Sequence, residues 1–164
     1  MSVYERLGVR PVINARGTNT MASGSLMDPR VLSAMAEAAT VFVDMAELNA
    51  RAGEHIARLI GVEAAHVTSG AAGGLLLAAA ACLAGDDPQR VRQLPDTTGM
   101  RDEIVIQQCQ RFGYDQALRT AGARLVEAGD PERCTPAQVE AVIGPRTAAL
   151  IAVVSPNLDD QGVP

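Results

Sequence analysis

Ser69, Gly70, Ala71 and Ala72 stand where a short β-type run, Ala64–Ser69, meets a long apolar Ala/Leu stretch, Leu75–Ala84. A strand that enters a helix through small residues leaves the first helical N–H groups without intrahelical partners and directed outward. The helix dipole adds partial positive charge at that end. A phosphate binds such a corner without help from a basic side chain. Gly and Ala permit close approach because little or nothing stands on Cα to block the anion, and Ser69 offers a hydroxyl donor. The same residues also suit an ordinary strand-to-helix turn beneath a sheet, so spacing alone leaves both readings open. Two phosphate motifs are excluded. There is no Gly-x-x-x-x-Gly-Lys-Ser/Thr, and Gly70-Ala71-Ala72-Gly73-Gly74 does not match Gly-x-Gly-x-x-Gly. The next strand-like run, Glu103–Gln107, ends in Gln rather than the acid that holds a ribose in a dinucleotide site.

Other chemistries find less support. All 14 basic residues are Arg, so no lysine side chain is available for a Schiff base. His55 falls on an apolar helical face and His66 lies in the β-type run; neither has a partner at metal-ligand spacing, and both read as structural. Cys82, Cys109 and Cys134 are odd in number and widely spaced, which fits thiols in a reducing cytoplasm rather than disulfides or zinc. The net charge of −5 and the scarcity of aromatic residues argue against a nucleic-acid surface. The N-terminus lacks a signal-peptide pattern. The run Ala71–Ala84 falls short of the roughly 20 apolar residues that span a bilayer.

Several elements must position that corner. Asp28-Pro29, an N-cap followed by proline at N1, opens a helix to about Thr40 with Val31, Met35 and Ala38 on one stripe. A second helix runs from about Met45 to Ile60 and stops at Gly61. Arg90–Leu94 and Gln116–Ala121 read as short helices, and Thr135-Pro136 caps another through Val142. Glu103–Gln107, Ala123–Glu127 and Thr147–Val154 read as buried strands. Helices alternating with buried strands predict an α/β fold with a mainly parallel sheet covered on both faces. The chain ends soon after a buried strand, which predicts the front part of a larger α/β unit.

The sequence resembles the fold-type I pyridoxal-phosphate enzymes, and more closely the selenocysteine synthase group and its relatives, including amino-sugar-acid ammonia lyases. The likeness rests on Leu7–Thr18, Ala52-Gly53-Glu54, Thr68–Ala72, Leu94–Met100, Arg111-Phe112-Gly113-Tyr114-Asp115 and Ala121–Glu127. It implies the three-layer large domain of that fold, with residues 1–60 as N-terminal arm and helices and 61–164 as the first part of the cofactor domain. It implies that Ser69, Gly70, Ala71 and Ala72 cup the phosphate of pyridoxal 5′-phosphate. Gln110 would lie by the pyridine ring, where relatives commonly carry Arg and His. Asn14, Arg16, Thr18 and Ser155 would line the site, the first three either that of their own subunit or that of a partner subunit in a homo-oligomer. The Asp and Lys such enzymes require would come later than Pro164.

The resemblance therefore predicts part of a cytoplasmic lyase or transferase that acts on a small amino-acid-like substrate by β-elimination or β-replacement. The acidic balance disfavours tRNA as that substrate, and no membrane partner is expected. The alternative is a catalytically inactive relative that serves as a structural or partner-binding α/β module.

Overall fold

The computed structural model describes residues 2–18, 20–154 and 162. The chain divides into two compact units, Met1–Arg51 and Ala52–Pro164. In the first unit, α1 (Val3–Arg6) carries a capping box in which Ser2 and Glu5 each accept from the other's backbone N–H. Helix α2 (Pro29–Ala38) begins as expected, with the Asp28 carboxylate accepting from the Arg30 N–H at 2.8 Å. Its apolar stripe is not covered: Val31 and Met35 are about half exposed, and no described residue of this unit is buried.

Helix α3 (Met45–Ile60) crosses from the first unit into the second. Its buried positions are Gly53 and Ala57. His55, expected to pack on the apolar face, is exposed, as is His66. The run Ala64–Ser69 is not a strand. Among the described residues no neighbouring strand pairs with it, and a β-type sequence without a ladder partner stays irregular. It leads into α4 (Ala71–Ala84), which ends where the expected Leu75–Ala84 helix ends and takes in the small residues Ala71–Gly74 as its first turn. Helix α5 (Pro88–Gln93) follows, capped by Asp87, which accepts from the Gln89 N–H at 2.8 Å.

Among the described residues the sheet contains three parallel strands: β1 (Glu103–Gln107), β2 (Arg124–Ala128) and β3 (Thr147–Ile151), in the order β2-β1-β3. Between β1 and β2 lies α6 (Gln116–Thr120); between β2 and β3 lies α7 (Pro136–Val142). Adjacent residues of β1 point to opposite faces. Ile104 joins Ala79, Leu83, Leu118 and Ala121 in one core cluster, while Val105 joins Ala128, Cys134 and Val139 in another. The sheet is thus an α/β layer with apolar cover on both sides, as the alternating pattern predicts. Only the central strand is fully buried. β3, expected to be fully buried through Val154, ends at Ile151 and is half-buried because it lies at the edge. β2 begins at Arg124, one residue later than expected, and is exposed at that end.

The amino ends of the strands are tied by charge. Asp102, 7% exposed, accepts a bidentate pair from the Arg146 guanidinium at 2.7 and 3.0 Å. Its backbone carbonyl accepts from the Arg124 N–H at 2.8 Å. The Arg146 hydrogen bond holds the Asp102 carboxyl below the usual carboxylate range against the opposing effect of burial. A carboxylate with a lowered folded-state pKa stabilises the fold above its ordinary value of about 3.9 and loses that contribution as pH falls through the folded value. Arg146 is largely exposed, so solvent screens part of the pair. Asp102→Ala should cost about 1–3 kcal/mol at pH 7 and flatten the decline in stability below pH 4, both read from urea unfolding at several pH values.

Among the described residues, no helix is long and apolar enough to cross a membrane, and no group of three or more His, Cys, Asp and Glu is placed to hold a metal ion.

Candidate functional site

The corner at residues 69–72 is built by the end of an irregular run and the start of a 14-residue helix. Ser69, Gly70, Ala71 and Ala72 are all exposed. Gly70 is the N-cap, with no side-chain cap in the turn. The first helical bond runs from the Gly74 N–H to the Gly70 carbonyl at 2.9 Å. The N–H groups of Ala71, Ala72 and Gly73 therefore lack intrahelical acceptors, and no other acceptor meets them among the described residues. The Ser69 Oγ sits over the same first turn, 2.9 Å from where a Cβ on Gly73 would stand. Three open donors, a hydroxyl and the positive end of a four-turn helix make an anion site without a cationic side chain.

Glycine at position 70 has a backbone reason beside the open approach expected for an anion. A Cβ there would meet no protein atom within 4 Å. The backbone conformation, with φ 145° and ψ 173°, lies in a region essentially restricted to glycine. Thr68, which sequence reasoning left out of the site, helps hold this turn, since its Oγ1 donates to the Gly70 carbonyl at 3.0 Å.

Gln110 does not offer its carboxamide to an open site. It is 4% exposed, and its Oε1 accepts from the Val153 N–H at 2.8 Å. Gln107, at the carboxyl end of β1, is fully buried beside it, and the Cα of Gly162 lies against both amides. The next residue, Arg111, is spent on acids: its Nε donates to Asp115 at 2.5 Å and its Nη1 pairs with Glu127. Asp115 raises the Arg111 pKa above its ordinary value, with burial opposing.

Asn14 and Arg16 form a local turn in the first unit. The Asn14 Oδ1 accepts from the Arg16 N–H at 3.0 Å, and its Nδ2 donates to the Gly17 carbonyl at 2.6 Å. Thr18 is exposed in the same segment. Ser155 lies outside the described residues. Gly53 was legible only as part of a motif. A Cβ there would overlap the Ala65 carbonyl oxygen, so glycine lets α3 lie against the run that carries Ser69. A glycine inside an otherwise amphipathic helix is the signal that marks such a contact.

No protein-family model matches the chain. It is 36% identical over 166 residues to D-glucosaminate-6-phosphate ammonia lyase of Salmonella typhimurium, a match covering 99% of this chain and 45% of that protein. It is 37% identical over 168 residues to a 5′-C-glycyluridine monooxygenase-decarboxylase of a Streptomyces species, covering 98% of this chain and 42% of the relative. A solved structure of D-glucosaminate-6-phosphate ammonia-lyase superposes with a TM-score of 0.93 at 35% identity, over 99% of this chain and 45% of that one. The chain spans less than half the length of the relatives it matches.

Proposed function

We propose that this chain supplies the phosphate-binding corner of a pyridoxal 5′-phosphate-dependent lyase, part of a fold-type I large domain in a cytoplasmic homo-oligomer. The substrate class is a small amino acid derived from a phosphorylated sugar, and the reaction is β-elimination, with β-replacement as the transferase variant. The observation that carries this reading is the exposed turn at Ser69–Ala72, with three N–H groups open at the head of α4. Similarity to a protein named as an ammonia lyase supports the reaction class.

The residues present fit the cofactor's phosphate. The N–H groups of Ala71, Ala72 and Gly73 are open at the head of α4, and the exposed Ser69 stands beside them as a hydroxyl donor, a set suited to a dianion. Gln110, expected beside the ring, is buried with its Oε1 already accepting from the Val153 N–H. When bound, pyridoxal 5′-phosphate supplies an electron sink for charge at the substrate α-carbon. The chain's own part is to bind and orient, because none of its residues is a lysine that would attach the cofactor covalently.

Titrating the intact protein with inorganic phosphate and with pyridoxine 5′-phosphate tests this. Ser69→Ala should weaken both about tenfold, the loss of one hydrogen bond to a charged group. Undiminished binding in Ser69→Ala and in Gly70→Val would place the anion elsewhere. Ammonia released from a phosphorylated amino-sugar acid would identify the lyase. The likeness to the monooxygenase-decarboxylase favours a second reading, an oxidative decarboxylation, whose signature is consumption of oxygen and release of carbon dioxide without free ammonia.

A further inference from the structure

We infer that Gln110 is a positioning residue: its carboxamide braces the exit of β3 against the exit of β1 and so sets the crevice between these two strands at the carboxyl edge of the sheet. Ligands of open α/β sheets lie beyond the carboxyl ends of the strands, and the functional consequence rests on the cofactor reading given above.

The strand ladder does not reach this point. β1 ends at Gln107 and β3 at Ile151, with Ile106 and Ile151 as the last paired residues. Beyond them the chain departs from both strands, and the N–H of Val153 has left the ladder. Gln110, in the turn directly after β1, supplies the missing acceptor: its Oε1 takes the Val153 N–H at 2.8 Å. The link joins residues 43 positions apart. Burial makes it consequential, because at 4% exposure water cannot replace the carboxamide easily. The neighbouring Gln107 amide is fully buried, and Gly162 packs against both side chains where a Cβ would overlap the Gln110 amide. A polar side chain placed in this way acts on the backbone of the crevice, not on a ligand atom.

The brace has a signature that phosphate binding alone does not. In hydrogen exchange of the intact protein, the Val153 amide should be protected in the wild type and exchange at least tenfold faster in Gln110→Leu, which keeps the bulk and removes the acceptor. Gln110→Glu keeps an acceptor oxygen and should restore most of the protection. In Gln110→Leu, affinity for pyridoxine 5′-phosphate should fall about tenfold while affinity for inorganic phosphate, held at Ser69–Ala72, stays within twofold. Unchanged Val153 exchange in Gln110→Leu overturns the brace. Equal weakening of both ligands overturns its role in the crevice and assigns Gln110 to general stability. Should the wild type bind neither ligand, the cofactor reading fails, while the exchange comparison still decides whether Gln110 holds Val153.

Discussion

Gly53→Ala should destabilise the protein by up to about 2 kcal/mol and weaken phosphate binding at least tenfold, although alanine is the better helix former. Two opposing effects compete at this position. In an exposed helix interior, replacing glycine by alanine gains about 1 kcal/mol from propensity. Here Gly53 is buried within α3, and an added Cβ would overlap the Ala65 carbonyl oxygen and stand 3.3 Å from its carbon. The obstruction is backbone, which cannot swing aside as a side-chain tip can, and such overpacking costs about 1–3 kcal/mol. The overlap should win. Relief requires the run from Gly61 to Gly70 to move away from α3, and this run delivers Ser69 and the strained Gly70 to the head of α4. Stability and phosphate affinity should therefore fall together, read from urea unfolding and from a phosphate titration of the folded variant. A variant more stable than wild type, with unchanged affinity, would mean that α3 and Ala65 are not in the close contact described.

Gly122→Ala should cost about 3–5 kcal/mol. Gly122 turns the chain from α6 into β2 with φ at 103°, a conformation in which a side chain costs about 1–3 kcal/mol. A Cβ would also overlap the Pro95 carbonyl oxygen and lie 2.9 Å from the Thr97 Cγ2. Overpacking against backbone adds about 1–3 kcal/mol. For a domain whose total stability is about 5–15 kcal/mol, that is a large share. The effect should separate cleanly from that of Gly53→Ala. Gly122 contacts the loop at Pro95–Thr97 and not the Ser69 turn, so the fraction of Gly122→Ala that remains folded should bind phosphate with wild-type affinity. Thermal unfolding together with a phosphate titration at low temperature makes the distinction. A melting temperature within a degree or two of wild type would contradict the geometry of this turn.

Local chemistry made much of the architecture readable in advance. Asp28-Pro29 and Thr135-Pro136 opened helices where expected because capping needs only neighbours two or three residues away. The glycine and alanine corner before Leu75 announced the start of α4 for the same reason, and the β-branched run Glu103–Gln107 announced a buried strand. The alternation of such elements was enough to indicate a parallel sheet with helices on its faces.

What depended on distant partners was not readable. Ala64–Ser69 has the composition of a strand but finds no ladder among the described residues, and β3 is apolar from Ala148 onward yet only half-buried because it falls at an edge. The chain's sequence by itself settled where the capped α-helices begin, where the small-residue turn opens the apolar helix α4, and that this chain contributes no lysine. Tertiary structure alone decided that Gly53 admits the Ala65 carbonyl, that Gln110 turns inward to Val153, and which strand lies at the centre. The physical reason is range: caps and turns are decided within a few residues, whereas burial, close backbone approach and strand pairing are fixed by groups that meet only once the chain has folded.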